Sequence, residues 1–217
     1  MPTPETVRVL DSTLADEHLA ILRDRDTPSR AFRRAVGCLT TLAIAESLRD
    51  LAAEPGTVQT PLATAPVRRA ARRITVIPIL RAGLAMLDPA LALMPDRARV
   101  GFLGMARDEE TLRPRVYLES IPDDLSDDDV VALDVMIATG GSSVAALDEI
   151  AKLRPATLRL VGLLAAPEGI ARVADAHPDV SLTVAALDER LNDRGFIVPG
   201  LGDAGDRLYA PARLPAH

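Results

Sequence analysis

Apolar and polar residues follow each other along the chain with two different periods. After Thr27 and Pro28, apolar side chains recur every three or four positions, at Phe32, Val36, Leu39 and Leu42. This spacing is typical of an amphipathic helix, and a threonine followed by a proline is a common N-terminal cap and first turn. The pattern predicts a long helix near the N-terminus, capped by Thr27 and ending at about Asp50.

Farther along, short apolar runs rich in β-branched residues alternate with amphipathic stretches. The runs are ITVIPIL (74–80), VGFLGM (100–105), VVALDV (130–135), LRLVGLLA (158–165) and SLTVAAL (181–187). Several are apolar at consecutive positions, as in strands covered on both faces, and predicted helices at 83–93, 142–153 and 168–176 separate them. This alternation predicts an α/β fold, a mostly parallel sheet flanked by helices. RVYL, after residue 114, is predicted to form a β-hairpin with the preceding strand, and 52–66 to be an extended connection.

Composition limits the classes of protein to which the chain can belong. Its 217 residues are 48% apolar and 26% charged, which is typical of a folded protein, and the length fits a single domain covering 1–217. The 31 acidic and 25 basic residues give a net charge of −6, which disfavours nonspecific binding to nucleic acid or to an anionic membrane. Cys38 is the only cysteine, which excludes an internal disulfide and fits a reducing compartment. We expect a cytoplasmic protein that binds any anionic ligand locally.

A turn of small residues follows the third apolar run. Asp134 lies near the end of that run, and the sequence ATGGSS (138–143) leads from it into a predicted helix. Backbone N–H groups and hydroxyls of such a turn converge on one spot, and the helix N-terminus adds partial positive charge, so the turn predicts a phosphate site. Asp134 is placed to accept hydrogen bonds from sugar hydroxyls, which indicates a ribose 5-phosphate site. The alternative is a capped helix after a core strand, with Asp134 in a salt bridge.

Near the C-terminus, PGLGDAGD contains glycines spaced as in a dinucleotide-binding turn, at Gly200, Gly202 and Gly205. A dinucleotide site needs a helix, a second strand and an acidic residue about 20 positions farther on, and only a dozen residues follow Gly205. We therefore reject that interpretation. Glycines also let bare backbone approach a flat polar ring closely, and the alternative is a glycine-rich surface turn.

These motifs resemble those of the uracil phosphoribosyltransferases, within the type I phosphoribosyltransferase fold. The matching stretches are PILRAGL (78–84), GMARDEETL (104–112), LDVMIATGGS (133–142), AAPEGI (165–170) and IVPGLGDAGD (197–206). ATGGS is typical of phosphoribosyltransferases in general, whereas PGLGDAGD is more specific to the uracil branch. The resemblance covers nearly the whole chain. It implies a long N-terminal helix and a β-hairpin with a flexible loop over the site, and we expect the polar loop 106–114 to close over the site and exclude water.

The resemblance also implies a reaction. Members of this family transfer phosphoribose from 5-phosphoribosyl 1-diphosphate (PRPP) to N1 of uracil, giving UMP and diphosphate, with Mg²⁺ held by PRPP and water rather than by direct protein ligands. By this resemblance Arg81 and Arg107 contact the diphosphate and Asp134 holds the ribose hydroxyls. The 5′-phosphate loop would consist of Met136, Ile137, Ala138, Thr139, Gly140, Gly141 and Ser142. Uracil would lie against Ile197, Gly202, Asp203 and Ala204, with Asp203 also beside the ribose or the water around the metal. A homodimer or higher homo-oligomer, and GTP as an activator, are further expectations from the family.

Some positions depart from the family pattern and leave other functions open. Val135 stands where proline is usual, and Arg190 stands, a few residues before the glycine loop, where glycine is usual. The alternatives are a weakly active or regulatory PRPP-binding paralogue and a phosphoribosyltransferase for another base. Two charged runs point to no ligand, since the basic run at 68–73 lacks the aromatic residues typical of RNA-binding surfaces, and the acidic run at 123–129 is predicted to be a solvated loop.

Overall fold

An eight-stranded sheet forms the centre of the computed structural model, which describes residues 6–107 and 114–209, with side chains for all of these except 106, 107 and 114. The strands are β1 (Val7–Val9), β2 (Ala53–Gln59), β3 (Thr64–Ala70), β4 (Arg73–Leu80), β5 (Arg99–Val100), β6 (Phe102–Arg107), β7 (Pro114–Ser120), β8 (Asp128–Ile137), β9 (Thr157–Ala165), β10 (Ser181–Leu187), β11 (Arg190–Leu191) and β12 (Ile197–Val198). The helices are α1 (Thr13–Arg23), α2 (Ser29–Ser47), α3 (Leu84–Leu91), α4 (Gly141–Lys152), α5 (Pro167–Ala176) and α6 (Ala204–Tyr209).

The order of the strands brings two of the predicted motifs to one edge of the sheet. The order is β1-β10-β9-β8-β4-β6-β7, with β5 also paired to β4, and β7 is the one antiparallel strand among these. In β8 the described side chains are buried at every position except Met136, as expected for a strand covered on both faces. Because β4 and β8 are adjacent and parallel, the loops that follow them open at the same edge, where α/β proteins bind ligands. The predicted fold class is confirmed.

Helices cover both faces of this sheet. On one face α1, α2, α3 and α6 bury an apolar core that includes Leu22, Phe32 and Leu39. On the other face α4 and α5 pack Leu147 and Ile170 against the sheet. The predicted long helix is α2, but Pro28 occupies its N-cap position, and the Thr27 hydroxyl instead donates to the carbonyl oxygen of Ile21, 2.7 Å away. The predicted cap was therefore wrong by one residue.

The stretch 52–66 was predicted to be an extended connection, and this was wrong. It forms β2 and the start of β3, which pair with each other as an antiparallel hairpin with Gln59 opposite Thr64. At the turn, the Thr60 hydroxyl accepts from the backbone N–H of Ala63 at 3.0 Å, which closes the hairpin. Thr57, Val58 and Thr64 are residues that favour strands, whereas the prolines at 55, 61 and 66 pointed away from a strand.

The acidic run at 123–129 is not entirely the solvated loop that its charge suggested. Asp128 and Asp129 are buried, with exposed fractions of 0% and 1%. Arg73 and Arg99 pair with Asp128 at 3.0 and 2.6 Å, which compensates for the burial of its charge. Desolvation raises the pKa of Asp128, but the hydrogen bonds from Thr75 and from these two arginines together hold it below its ordinary value. Within the described residues no helix is long and apolar enough to cross a membrane.

Candidate functional site

Asp134 is held in a buried position near the end of β8. Its exposed fraction is 8%, and its carboxylate accepts a hydrogen bond from the Ser143 hydroxyl at 3.0 Å and one from the backbone N–H of Met136. Burial raises the pKa of Asp134 to about 6, while these two hydrogen bonds act in the opposite direction. No salt bridge to Asp134 occurs among the described residues, so the salt-bridge alternative has no support.

The β8–α4 loop (138–140) connects Asp134 to the N-terminus of α4. Gly140 caps that helix in a left-handed conformation, with φ of 72°. Gly169 of α5 lies directly beneath the loop, where an added Cβ would come within 3.0 Å of the carbonyl oxygens of Ile137 and Ala138. The backbone N–H of Ala166 donates to Ile137 O at 3.0 Å, and the Ile137 side chain is buried in the core beneath α4 and α5. The loop is therefore fixed from below by the AAPEGI stretch.

The glycine loop (199–203) follows β12 and is equally well anchored. Gly200 and Gly202 have φ of 62° and 81°, which residues with side chains rarely adopt. The Asp188 carboxylate accepts from the backbone N–H of Gly200 at 2.8 Å, and Arg23 of α1 donates to Gly200 O at 3.0 Å. Arg23 and Asp188 also bind each other, with one N···O distance of 2.9 Å.

The end of the glycine loop leaves several backbone groups available. One carboxylate oxygen of Asp203 accepts from the backbone N–H of Asp206 at 2.9 Å, so Asp203 caps α6. The other oxygen has no hydrogen bond among the described residues, and neither has the backbone N–H or C=O of Gly202. The backbone N–H of Ala204, in the first turn of α6, has no intrahelical acceptor.

Arg81 lies in the turn between β4 and α3. This turn packs tightly on β8, since a Cβ at Gly83 would come within 3.0 Å of the carbonyl oxygens of Ile79 and Leu133. Leu133 immediately precedes Asp134 in β8, so the Arg81 turn and Asp134 are positioned by the same strand. Arg107 is the last residue of β6, and its side chain lies outside the described part of the molecule, as does most of the loop 106–114 that was predicted to close over the site.

A cavity of about 900 Å³ brings these elements together. Its lining includes predicted site residues from three separate motifs: Arg81, Met136, Ala138, Ile197, Gly202, Asp203 and Ala204. Asp134, Ile137, Thr139, Gly140, Gly141 and Ser142 are not in its lining, and they lie beside or beneath it along β8 and the start of α4. Ala138 at the start of the β8–α4 loop and Gly202 of the glycine loop thus face one space.

A family model described as uracil phosphoribosyltransferase matches residues 9–210. The chain belongs to this family. The uracil phosphoribosyltransferase of Ligilactobacillus salivarius is 46% identical over 203 residues, covering 93% of this chain and 97% of that protein. That of Geobacillus kaustophilus is 46% identical over 204 residues, covering 94% of this chain and 97% of that protein.

Solved structures agree with the fold. The AQ2163 protein from Aquifex aeolicus superposes with a TM-score of 0.89 at 40% identity, covering 94% of this chain and 98% of that protein. A hypoxanthine-guanine phosphoribosyltransferase from Bacillus anthracis is 12% identical with a TM-score of 0.50, covering 74% of this chain and 80% of that one, and shares the fold alone. The uracil phosphoribosyltransferase resemblance deduced from the motifs is confirmed.

Several residues of this uracil phosphoribosyltransferase site were missed from the sequence. Met105, Tyr117, Arg194 and Phe196 also line the cavity, and Arg23, Asp188 and Ser143 hold the loops in place. Tyr117 belongs to the predicted RVYL hairpin strand, which pairs with β6 as expected. Arg23 and Asp188 carry no signal in the sequence, because their pairing depends on α1 crossing to the far end of the chain.

The charged groups of the cavity fit Mg²⁺ that arrives with a phosphate ligand. Mg²⁺ usually keeps several waters and is bound through one or two carboxylates together with substrate phosphates. Asp203 supplies one carboxylate in the cavity lining, and one of its oxygens has no hydrogen bond among the described residues. Within that same part of the chain no group of three His, Cys, Asp or Glu side chains could hold a metal by itself.

Proposed function

We propose that this protein transfers phosphoribose from PRPP to N1 of uracil, giving UMP and diphosphate for pyrimidine salvage. The main support is that Ala138 of the β8–α4 loop and Gly202 of the glycine loop line one cavity, so a ribose 5-phosphate held at the first loop can meet a base held at the second. Family membership over residues 9–210 supports the same reaction.

The donor would be held along β8 and the first turn of α4. The backbone N–H groups at 139–142 and the hydroxyls of Thr139 and Ser142 would bind the 5′-phosphate at the N-terminus of α4, aided by the partial positive charge there. The Asp134 carboxylate would accept hydrogen bonds from the ribose hydroxyls, for which it must be ionised. Ser143 orients that carboxylate from within the protein and so acts as a positioning residue.

The glycine loop would read uracil through its backbone. Uracil presents an acceptor, a donor and an acceptor in a row, at O4, N3–H and O2. The N–H and C=O of Gly202 and the N–H of Ala204 can answer that order, and none is hydrogen-bonded elsewhere in the described structure. Cytosine reverses the order at N3 and position 4, which leaves buried groups unpaired at roughly 1 to 3 kcal/mol each.

Bond exchange at the anomeric carbon would then depend on positioning and charge. The bond from C1 to the diphosphate oxygen breaks, the bond from C1 to N1 of uracil forms, and the N1 proton leaves to solvent. Arg81, which lines the cavity, would stabilise the negative charge on the departing diphosphate, and Arg107 would act with it. When bound, Mg²⁺ would supply charge stabilisation to the same phosphates, and the Asp203 carboxylate would hold the ion through its waters.

A product assay tests this proposal and its alternatives together. The purified protein is incubated with PRPP, Mg²⁺ and labelled uracil, and in parallel with hypoxanthine, cytosine and orotate. We expect UMP from uracil and at least about 100-fold lower turnover of the other bases. No product from any base would favour a regulatory PRPP-binding protein, and product from another base alone would contradict the assignment of the glycine loop.

We also propose that the whole chain acts as one domain and that it forms a homo-oligomer. The β2–β3 hairpin supports the homo-oligomer. The strands of this hairpin pair only with each other in the described structure, and Leu62 at its turn is 96% exposed. An isolated two-stranded hairpin is marginally stable, so a second copy that covers it would stabilise it. Sedimentation should show a dimer or larger species that Leu62→Asp weakens, and a monomeric wild type would contradict this.

A cytoplasmic location fits the free Cys38, and GTP activation stays a prediction for titration in the product assay.

A further inference from the structure

An arginine that no motif includes lies against the proposed 5′-phosphate site. Arg172 is on α5, one turn after Gly169, and its side chain is exposed. One guanidinium nitrogen lies 3.3 Å, and the central carbon 3.7 Å, from the point that a Cβ on Gly141 would occupy. The Thr139 hydroxyl lies 3.7 Å from that same point. The guanidinium, the threonine hydroxyl and the first residue of α4 therefore share one small region.

The charge of Arg172 is available to a ligand. No acidic side chain forms an ion pair with it among the described residues, whereas Arg23, Arg73 and Arg159 each pair with an aspartate. The Arg172 side chain also starts beside the loop, because its Cβ lies 3.3 Å from the point that a Cβ on Gly140 would occupy. A guanidinium keeps its charge at any physiological pH and can donate two parallel hydrogen bonds to a phosphate.

We propose that Arg172 is a further ligand of the donor's 5′-phosphate, acting together with the backbone of the β8–α4 loop. The inference rests on the proposed function, which places that phosphate at the N-terminus of α4. The 5′-phosphate is present in both PRPP and UMP and takes no part in bond exchange. Arg172 therefore strengthens binding of donor and product alike, so its loss raises the KM for PRPP and leaves kcat unchanged.

Direct binding of two fragments of the donor tests the assignment independently of turnover. Ribose 5-phosphate contains only the 5′-phosphate end of the donor, and Mg²⁺-diphosphate contains only the leaving group. By calorimetric titration, Arg172→Ala should weaken the binding of ribose 5-phosphate by about tenfold and leave the binding of Mg²⁺-diphosphate unchanged, as expected for the loss of one exposed guanidinium–phosphate contact. Arg172→Lys, which keeps the charge but loses the paired donors, should give an intermediate affinity.

Arg34→Ala is the matched control, because it removes the same charge from an exposed position on α2, across the sheet from α4 and α5. Equal ribose 5-phosphate affinity in the two alanine variants would overturn the inference. An equal loss of affinity for both fragments in Arg172→Ala would overturn it as well. A wild-type protein that binds no ribose 5-phosphate also overturns it. Failure of the proposed function appears separately, as a wild type that binds ribose 5-phosphate but forms no UMP.

Discussion

Replacing Asp134 with asparagine should make the protein more stable and much less active at once. The carboxylate is 8% exposed, and its pKa is raised from 3.8 to about 6 because burial disfavours the charged form. At 1.36 kcal/mol per pH unit, this difference corresponds to roughly 3 kcal/mol of destabilisation by the ionised side chain above pH 6. Asparagine carries no charge but loses one acceptor, at about 1 kcal/mol, so the variant should be about 2 kcal/mol more stable at pH 7.5.

The pH dependence identifies the cause of that gain. Between pH 3.8 and about 6 the folded protein holds a proton that the unfolded chain has lost, so stability falls as pH rises through this window. The stability of Asp134→Asn relative to wild type should therefore grow by roughly 2 kcal/mol between pH 4 and 7.5. Urea unfolding at several pH values measures it. Asp175→Asn, at an exposed position of α5, is the control and should show no such growth.

Activity should change in the opposite direction. Only the ionised carboxylate can accept hydrogen bonds from both ribose hydroxyls, so kcat/KM for PRPP in the wild type should fall as pH drops below about 6. Asp134→Asn should lower kcat/KM by about 100-fold at pH 8, the cost of weakening two charge-assisted hydrogen bonds. A variant with unchanged activity, or a stability difference that is flat with pH, would refute the assignment of Asp134 as a buried ribose ligand.

Three further substitutions test the supports of the two loops. Gly169→Ala places a methyl group against the carbonyl oxygens of Ile137 and Ala138 and should raise the KM for PRPP while lowering stability by about 2 kcal/mol. Gly56→Ala, whose new methyl group would meet the Val67 and Arg69 side chains at 3.5 Å, an ordinary van der Waals distance, should do neither. A wild-type KM in Gly169→Ala would contradict the close approach. Arg23→Ala should raise the KM for uracil several-fold and leave PRPP binding unchanged. In the double variant with Asp188→Asn, the KM for uracil should rise by less than the two single effects combined, because both residues bind Gly200. Additive effects would show that the two residues act independently. Arg190→Gly restores the usual family residue at an exposed position, where the arginine side chain pairs, among the described residues, with its neighbour Glu189. Turnover should stay within about twofold of wild type, and a larger change would revive the paralogue interpretation.

The parts of the site formed by local sequence were predictable. Asp134 and the small residues after it occur within ten positions, and a strand followed by such a turn and a helix has few possible geometries. The apolar runs that form β4, β8 and β9 are also local patterns, and they predicted the parallel sheet. Both loops could therefore be assigned a ligand class before their positions in space were known.

Contacts between distant segments could not be predicted in this way. Arg23 reaches Gly200 across 177 positions, and Gly169 fits beneath the β8–α4 loop only because β9 and α5 return beside β8. The charge of the acidic run predicted a solvated loop, but Asp128 is buried and forms ion pairs with two arginines that come from β4 and β5. Val135 stands at a position where the family usually has proline, yet it is fully buried in β8, where its side chain packs in the core and away from the cavity lining.

The two loops differ in what holds them, and this difference has a functional consequence. The β8–α4 loop is supported by α4 and α5 on one face of the sheet, from residues that follow it closely in sequence. The glycine loop is held from the other face by α1. Arg23 of α1 donates to Gly200 O, and Arg207 of α6 donates both to the Leu22 carbonyl of α1 and to Leu201 O of the loop. The Arg207 guanidinium also lies 4.4 Å above the Phe32 ring of α2. Changes in α1 and α2 should therefore alter recognition of uracil before recognition of PRPP, although both helices lie far from the glycine loop in sequence.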